Sequence, residues 1–124
     1  MNAETNSFIA GYIRKQYGPS FPLGEIPKGI CWDFCQEVHS MEGKELPNIV
    51  VAKDVLQRVE SPVVLDIVLF KFGEMFHGGI IWPDGLHFVH AVPVQEKETR
   101  FIIERGRVTA FPWNNTIEGF YHVL

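Results

Sequence analysis

From Val63 to Phe70 the chain reads Val-Val-Leu-Asp-Ile-Val-Leu-Phe, apolar at every position but Asp66. A run this short and this apolar suits a strand covered on both faces, so other elements must lie above and below it. The chain changes character at Pro62. Before it, hydrophobic residues recur at helical spacing; after it, they fall at strand spacing between turn residues.

Three helices are expected in the first half. Ser7 can cap one over residues 7–17, with Phe8, Ile9, Tyr12 and Ile13 on one face and Gly18-Pro19 as its stop. A segment rich in Pro and Gly, from Pro19 to Lys28, then delivers the chain to a second helix over Cys31 to Glu42. Its inward stripe is Cys31, Phe34, Cys35, Val38 and Met41, with Asp33, Gln36, Glu37 and Ser40 towards water and Gly43 as the stop. A third helix starts at an Asn48 cap and repeats Val51, Val55, Leu56 and Val59 before Ser61-Pro62 ends it, although Ile49-Val50-Val51 also reads as strand.

In the second half the expected strands are Val63 to Phe70, Phe76 to Trp82, Leu86 to Val92, Arg100 to Ile103, Val108 to Phe111 and Ile117 to Val123, with a turn at Gly106. Helices first and strands afterwards predict an α+β fold, its helices packed on one face of an antiparallel sheet. At 124 residues, with 46% hydrophobic and 13% aromatic content, the chain suffices for one core and reads as a single domain over 1–124. A net charge of −4 with Lys and Arg scattered leaves no basic footprint, which argues against nucleic acid as a partner. No apolar run approaches the roughly 20 residues of a membrane span. Met1-Asn2-Ala3-Glu4-Thr5 lacks the basic start and apolar core of a signal peptide, so cytoplasmic synthesis is expected.

Chemistry concentrates at Cys31 and two histidines. Cys31 falls in the first turn of the second helix, where exposed N–H groups and the helix dipole stabilise a thiolate and lower a thiol below its free value of about 8.5. Cys31 and Cys35 are poorly placed to bridge each other and are expected as reduced thiols. Trp82-Pro83-Asp84-Gly85 fits a type I turn, and if Trp82 pairs with Gly85 then His77 stands opposite His90. Opposite residues share a sheet face; a slip of two leaves them diagonal on that face, and a slip of one separates them. A thiol nucleophile needs a base, and the base needs a third group to orient it, roles that Cys31, His77 and His90 can fill, facing the start of the cysteine helix. Trp32, beside the thiol, and Trp82, at the hairpin, are candidates to line a substrate cleft; packing is the plainer role for both and for Trp113. A different reading takes Cys31, Cys35 and His39, at successive i,i+4 spacing, as three ligands of a metal, with His77 or His90 as the fourth.

Three blocks resemble the NlpC-type cysteine peptidases. Ile30-Cys31-Trp32-Asp33-Phe34 followed by Gly43-Lys44-Glu45-Leu46-Pro47 is similar to the helix-start block and the later Gly and Leu-Pro of phage-tail members. Leu65-Asp66-Ile67-Val68-Leu69-Phe70 resembles a Gly-Asp-hydrophobic strand, and His77-Gly78-Gly79-Ile80 with Phe88-Val89-His90-Ala91 resembles a His-Val-Gly-Ile strand and the hydrophobic-Ile-His-Ala after it. The resemblance covers about residues 7–91. It implies a compact papain-like fold and hydrolysis of peptide bonds in peptidoglycan stem peptides containing D-amino acids. Cys31 would be the nucleophile, His77 the general base and His90 the orienting residue, with Tyr17 upstream helping to shape the site. It further implies no cofactor, no metal, and phage-tail or cell-wall proteins as associates. Four positions depart from the family's pattern: Ile30 stands for Asp, Asp33 for a small residue, Leu65 for Gly and Gly78 for Val. They support an alternative role as a binding or structural module with little turnover.

Overall fold

The computed structural model describes residues 1–124. Helix α1 (Ala3–Tyr12) starts earlier than expected, because the Asn2 side chain, rather than Ser7, caps it by accepting from the Thr5 N–H at 2.8 Å. It stops short of residue 17 for a tertiary reason. Arg14 turns the chain at φ 64°, and the segment that follows lies along the outer edge of the sheet. There the N–H groups of Arg14, Tyr17 and Phe21 donate to the carbonyls of Ile103, Phe101 and Thr99, occupying an edge that would otherwise be bare.

Helix α2 (Ile30–Met41) keeps nearly the expected span, but its buried face is turned slightly. Trp32, Phe34, Cys35, Val38 and His39 are buried, whereas Cys31 and Met41 are half-buried. Helix α3 (Ile49–Val55) has the Asn48 cap, with Oδ1 accepting from Val50 N–H at 2.9 Å. It does not run on to Ser61, since Gln57–Val59 leaves it to become strand β1. The expected stripe is not a core face: Val51 and Val55 are exposed, and Ala52 is the buried residue.

Strand β2 (Ile67–Phe72) starts four residues later than expected, because Val63 to Asp66 form a turn. Asp66, the polar exception in the apolar run, holds that turn: its backbone N–H donates to Val63 O, and its buried carboxylate accepts from Val63 N–H at 2.9 Å. The other carboxylate oxygen meets His122 Nδ1 at 2.7 Å. Leu65, at φ 72°, takes a conformation that suits glycine.

Strands β3 (Met75–Ile81) and β4 (His87–Gln95) form the expected hairpin. Strand β5 (Thr99–Arg107) replaces the two shorter strands expected around Gly106, and Val108–Phe111 is not a strand. Gly106 lies within β5 instead of turning the chain; a Cβ there would come within 2.7 Å of the Phe88 ring, so packing requires the glycine. A short 3-10 helix (Trp113–Asn115) leads into β6 (Ile117–His122). The six strands form one sheet in the order β1-β6-β2-β3-β4-β5, with every neighbouring pair antiparallel. The fold is therefore α+β, as the order of periodicities predicts.

The two sheet faces carry separate cores. Residues of the three helices pack with Ile67, Leu69, Ile80, Val89, Ala91 and Ile103 on one face. On the other, Val68, Phe70, Ile81 and Phe88 are covered by Val108, Trp113, Ile117 and Phe120. That double cover is what the apolar run in β2 demands. No helix is long and apolar enough to cross a membrane.

Candidate active site

The site begins where two neighbouring strands part. β3 and β4 pair only at Ile80–Val89 and Ile81–Phe88; beyond that, β3 stays with β2 while β4 pairs with β5 along its full length. A cavity of about 490 Å³ opens at the parting, with Phe76 and His77 on one side and Ala91, Val92 and Pro93 on the other. The first residues of α2, including Cys31, also line it.

Gly29 brings the chain into α2 at φ 96° and offers no side-chain cap. The N–H groups of Ile30, Cys31 and Trp32 have no backbone acceptor, the usual condition of a first helical turn. Backbone N–H groups of Gly78, Trp32 and Cys31 itself face the sulfur. Gly78 can take part because β4 has left: Trp82 N–H donates across to His87 O, and strand alternation points Gly78 N–H the same way, where no partner strand remains. Gly78 also has to be glycine, since a Cβ there would lie 2.6 Å from the Trp32 ring. Burial nevertheless dominates, and the Cys31 thiol is pushed above its ordinary value, against the lowering expected from its place on the helix. Asp33 raises it only slightly, because its side chain points to water.

His77 and His90 meet, with Nε2 of the first 2.7 Å from Nδ1 of the second. They are diagonal and not directly opposite. The turn at Trp82-Pro83-Asp84-Gly85 forms, with Gly85 N–H donating to Trp82 O, but the strands resume only at Trp82–His87. This register differs by two residues from a Trp82–Gly85 pairing, so the rings keep one face. That face is not the one packed on α2, contrary to expectation. Gly78, Val89 and Ala91 point to the helix side, while the imidazoles lie among Phe70, Phe88 and Trp113. Cys31 and His77 share the cavity between the parted strands, with no hydrogen bond between them. Burial holds His77 down to about 4. Burial and then the neighbouring His77 hold His90 down to about 3. Both rings are thus neutral at pH 7.

Three expected site residues lie elsewhere. Tyr17 donates its hydroxyl to Glu37 Oε1 at 2.6 Å and packs edge-on to Phe34 and Tyr12; burial and then Glu37 push its ionisation well up. Trp32 is buried under the sheet with its indole N–H on Pro47 O at 2.8 Å. Trp82 follows the far end of β3 from His77 and packs against the helix-side core. None of the three lines the cavity. The metal reading loses its third ligand, because His39 has Nδ1 at 2.9 Å from Cys35 O and Nε2 at 2.8 Å from Leu65 O.

Trp113 belongs to the site although nothing near it in sequence signals this. Its ring stacks over His77 at 22° and stands edge-on to His90, with centroids 6.1 and 4.8 Å away. It also forms part of the cavity wall. The residue arrives from the 3-10 helix ahead of β6, and only the sheet order brings that segment beneath β3 and β4. No protein-family model matches this chain, and no curated protein matches it.

Proposed function

We propose that the protein is a cysteine hydrolase of the NlpC type, acting on peptide bonds of peptidoglycan stem peptides. The observation that carries this reading is the shared cavity: a cysteine at an uncapped helix start and an imidazole tied to a second imidazole line the same cleft. With His77 Nε2–H donating to His90 Nδ1, the His77 Nδ1 lone pair is left to take the Cys31 proton. The sulfur then attacks the amide carbonyl, and the oxyanion meets N–H groups at the start of α2 that have no backbone acceptor. His77 passes the proton to the departing amine, and water activated by the same ring releases the acyl group from the sulfur.

The departures from the family's pattern are compatible with this chemistry. Gly78 accommodates Trp32, Asp33 faces solvent, and Leu65 adopts the positive φ that a glycine would take. Ile30 lines the cavity. The raised thiol and the missing Cys31–His77 hydrogen bond favour the second reading, a wall- or tail-associated module with little turnover.

The test is mass spectrometry of peptidoglycan fragments incubated with reduced protein. Cleavage should disappear in Cys31→Ala, and fall roughly 10²–10⁴-fold in His77→Ala, the usual contribution of a general base. His90→Ala should lose less, since it orients the base without taking part in bond changes. Intact fragments after exposure to folded, reduced wild-type protein would leave the module reading in place.

A further inference from the structure

The cavity extends beyond the reacting atoms, and its chemistry is one-sided. Ile30, Ile49, Phe76, Ala91, Phe101 and Trp113 wall it. Apart from Cys31 and His77, its only titratable groups are Lys28 and Glu74, both on exposed segments. The mouth is apolar as well: Ile26, Val50, Phe72 and Met75 are 48%, 74%, 41% and 55% exposed. A contiguous exposed apolar surface that runs into a cleft marks a binding site for apolar groups. Carboxylates of a stem peptide entering this cleft would find a single cation, Lys28, with the like-charged Glu74 and a mostly apolar wall around it, and an unpaired charge withdrawn from water is heavily penalised.

We infer that the group seated beside the scissile bond is an aliphatic acyl chain, so that the site takes medium-chain acyl esters, thioesters or amides in preference to charged peptides. The inference rests on the reading of Cys31 as the acyl acceptor and differs from that reading in the substrate, an acyl chain in place of a stem peptide. The step is the same in form. The Cys31 sulfur forms a bond to the acyl carbon, and the bond from that carbon to the alcohol, thiol or amine breaks. The proton lost by Cys31 leaves with that group through His77. Water then takes the acyl group from sulfur and releases the carboxylic acid. The volume of about 490 Å³ lies within the roughly 300–1,000 Å³ typical of small-molecule sites.

Two measurements test this. The first compares kcat/KM for 4-nitrophenyl acetate, butyrate and octanoate. Each methylene moved out of water is worth about threefold to fourfold, so octanoate should exceed acetate by on the order of a hundredfold when part of the chain stays at the open mouth. Val50→Asp, at an exposed position, should reduce that ratio. The second is independent of turnover: Cys31→Ala should bind the neutral octanamide in calorimetry and should not bind acetamide. Stem-peptide cleavage with equal rates for the three esters and no octanamide binding overturns the inference and leaves the hydrolase reading standing. Failure of every substrate to acylate Cys31, read by intact mass, overturns both. A flat ester series in a protein that sedimentation shows to be a dimer, dissociated by Val50→Asp, would assign the apolar mouth to self-association and overturn the inference.

Discussion

At the scale of single residues, the site sets two opposing effects on one sulfur. Three backbone N–H groups favour a thiolate at Cys31, while burial favours the thiol, and burial is the larger. A neutral imidazole held down to about 4 stands in the same cavity, so the resting pair is uncharged, and the proposed hydrolysis would require the proton to move from sulfur to imidazole as the bond forms. Alkylation makes this visible. Iodoacetamide should label Cys31 slowly at pH 7, and the rate should keep climbing beyond about pH 8.5, the free thiol's value, without levelling off at neutrality. Cys35 is fully buried, with its thiol pushed well up, and should label only on unfolding. A rate already at its plateau by pH 7 would mean that the thiolate is the resting form.

At the scale of elements, the parting of β3 from β4 makes the site, and it is the feature least legible in the chain. The strand period predicts that His77 and His90 share a face, and they do, because a two-residue slip preserves the face. Which face that is, and where β4 changes allegiance from β3 to β5, depends on pairings between segments far apart in sequence. The Asn48 cap and the span of α2 were readable because their causes are local. The end of α1, the end of α3 and the role of Gly106 were not, since a β5 edge, a β6 edge and the Phe88 ring decide them. Gly78 and Trp32 offer a direct check on how β3 seats against α2. Gly78→Val should lower stability by about 1–3 kcal/mol, the usual penalty of overpacking. In Trp32→Leu the same substitution should be milder, giving a favourable coupling in a double-mutant cycle measured by urea unfolding. Additive losses would show that the ring and the strand do not compete for one space.

At the scale of the whole molecule, three histidines shielded from water, two buried and His77 half-buried, tie folding to pH. His77, His90 and His39 all have ionisation held below the ordinary 6.5, in each case chiefly by burial. The unfolded chain takes up protons on these rings near 6.5, while the folded chain refuses them until about 4 at His77 and about 3 at His90. In that window the unfolded state binds more protons, so their contribution to stability is full above about 6.5 and is lost as the pH falls towards 4 and then 3. Each ring can supply a slope of up to about 1.4 kcal/mol per pH unit. Glu42 and Asp84, whose carboxylates are held low by hydrogen bonds, act in the same direction at more acid pH. The urea midpoint should therefore be level from pH 8 to 7 and fall between pH 6.5 and 4. Trp113→Ala should flatten that fall. Without the indole that covers both rings, water reaches them, their ionisation returns towards 6.5, and the interval between folded and unfolded values closes. The variant should also lose less than the roughly 3–5 kcal/mol of a fully buried tryptophan, because Trp113 is only half-buried. A wild-type midpoint unchanged between pH 7 and 5 would mean that water already hydrates the imidazole pair, and that the covered face beneath the sheet opens in solution.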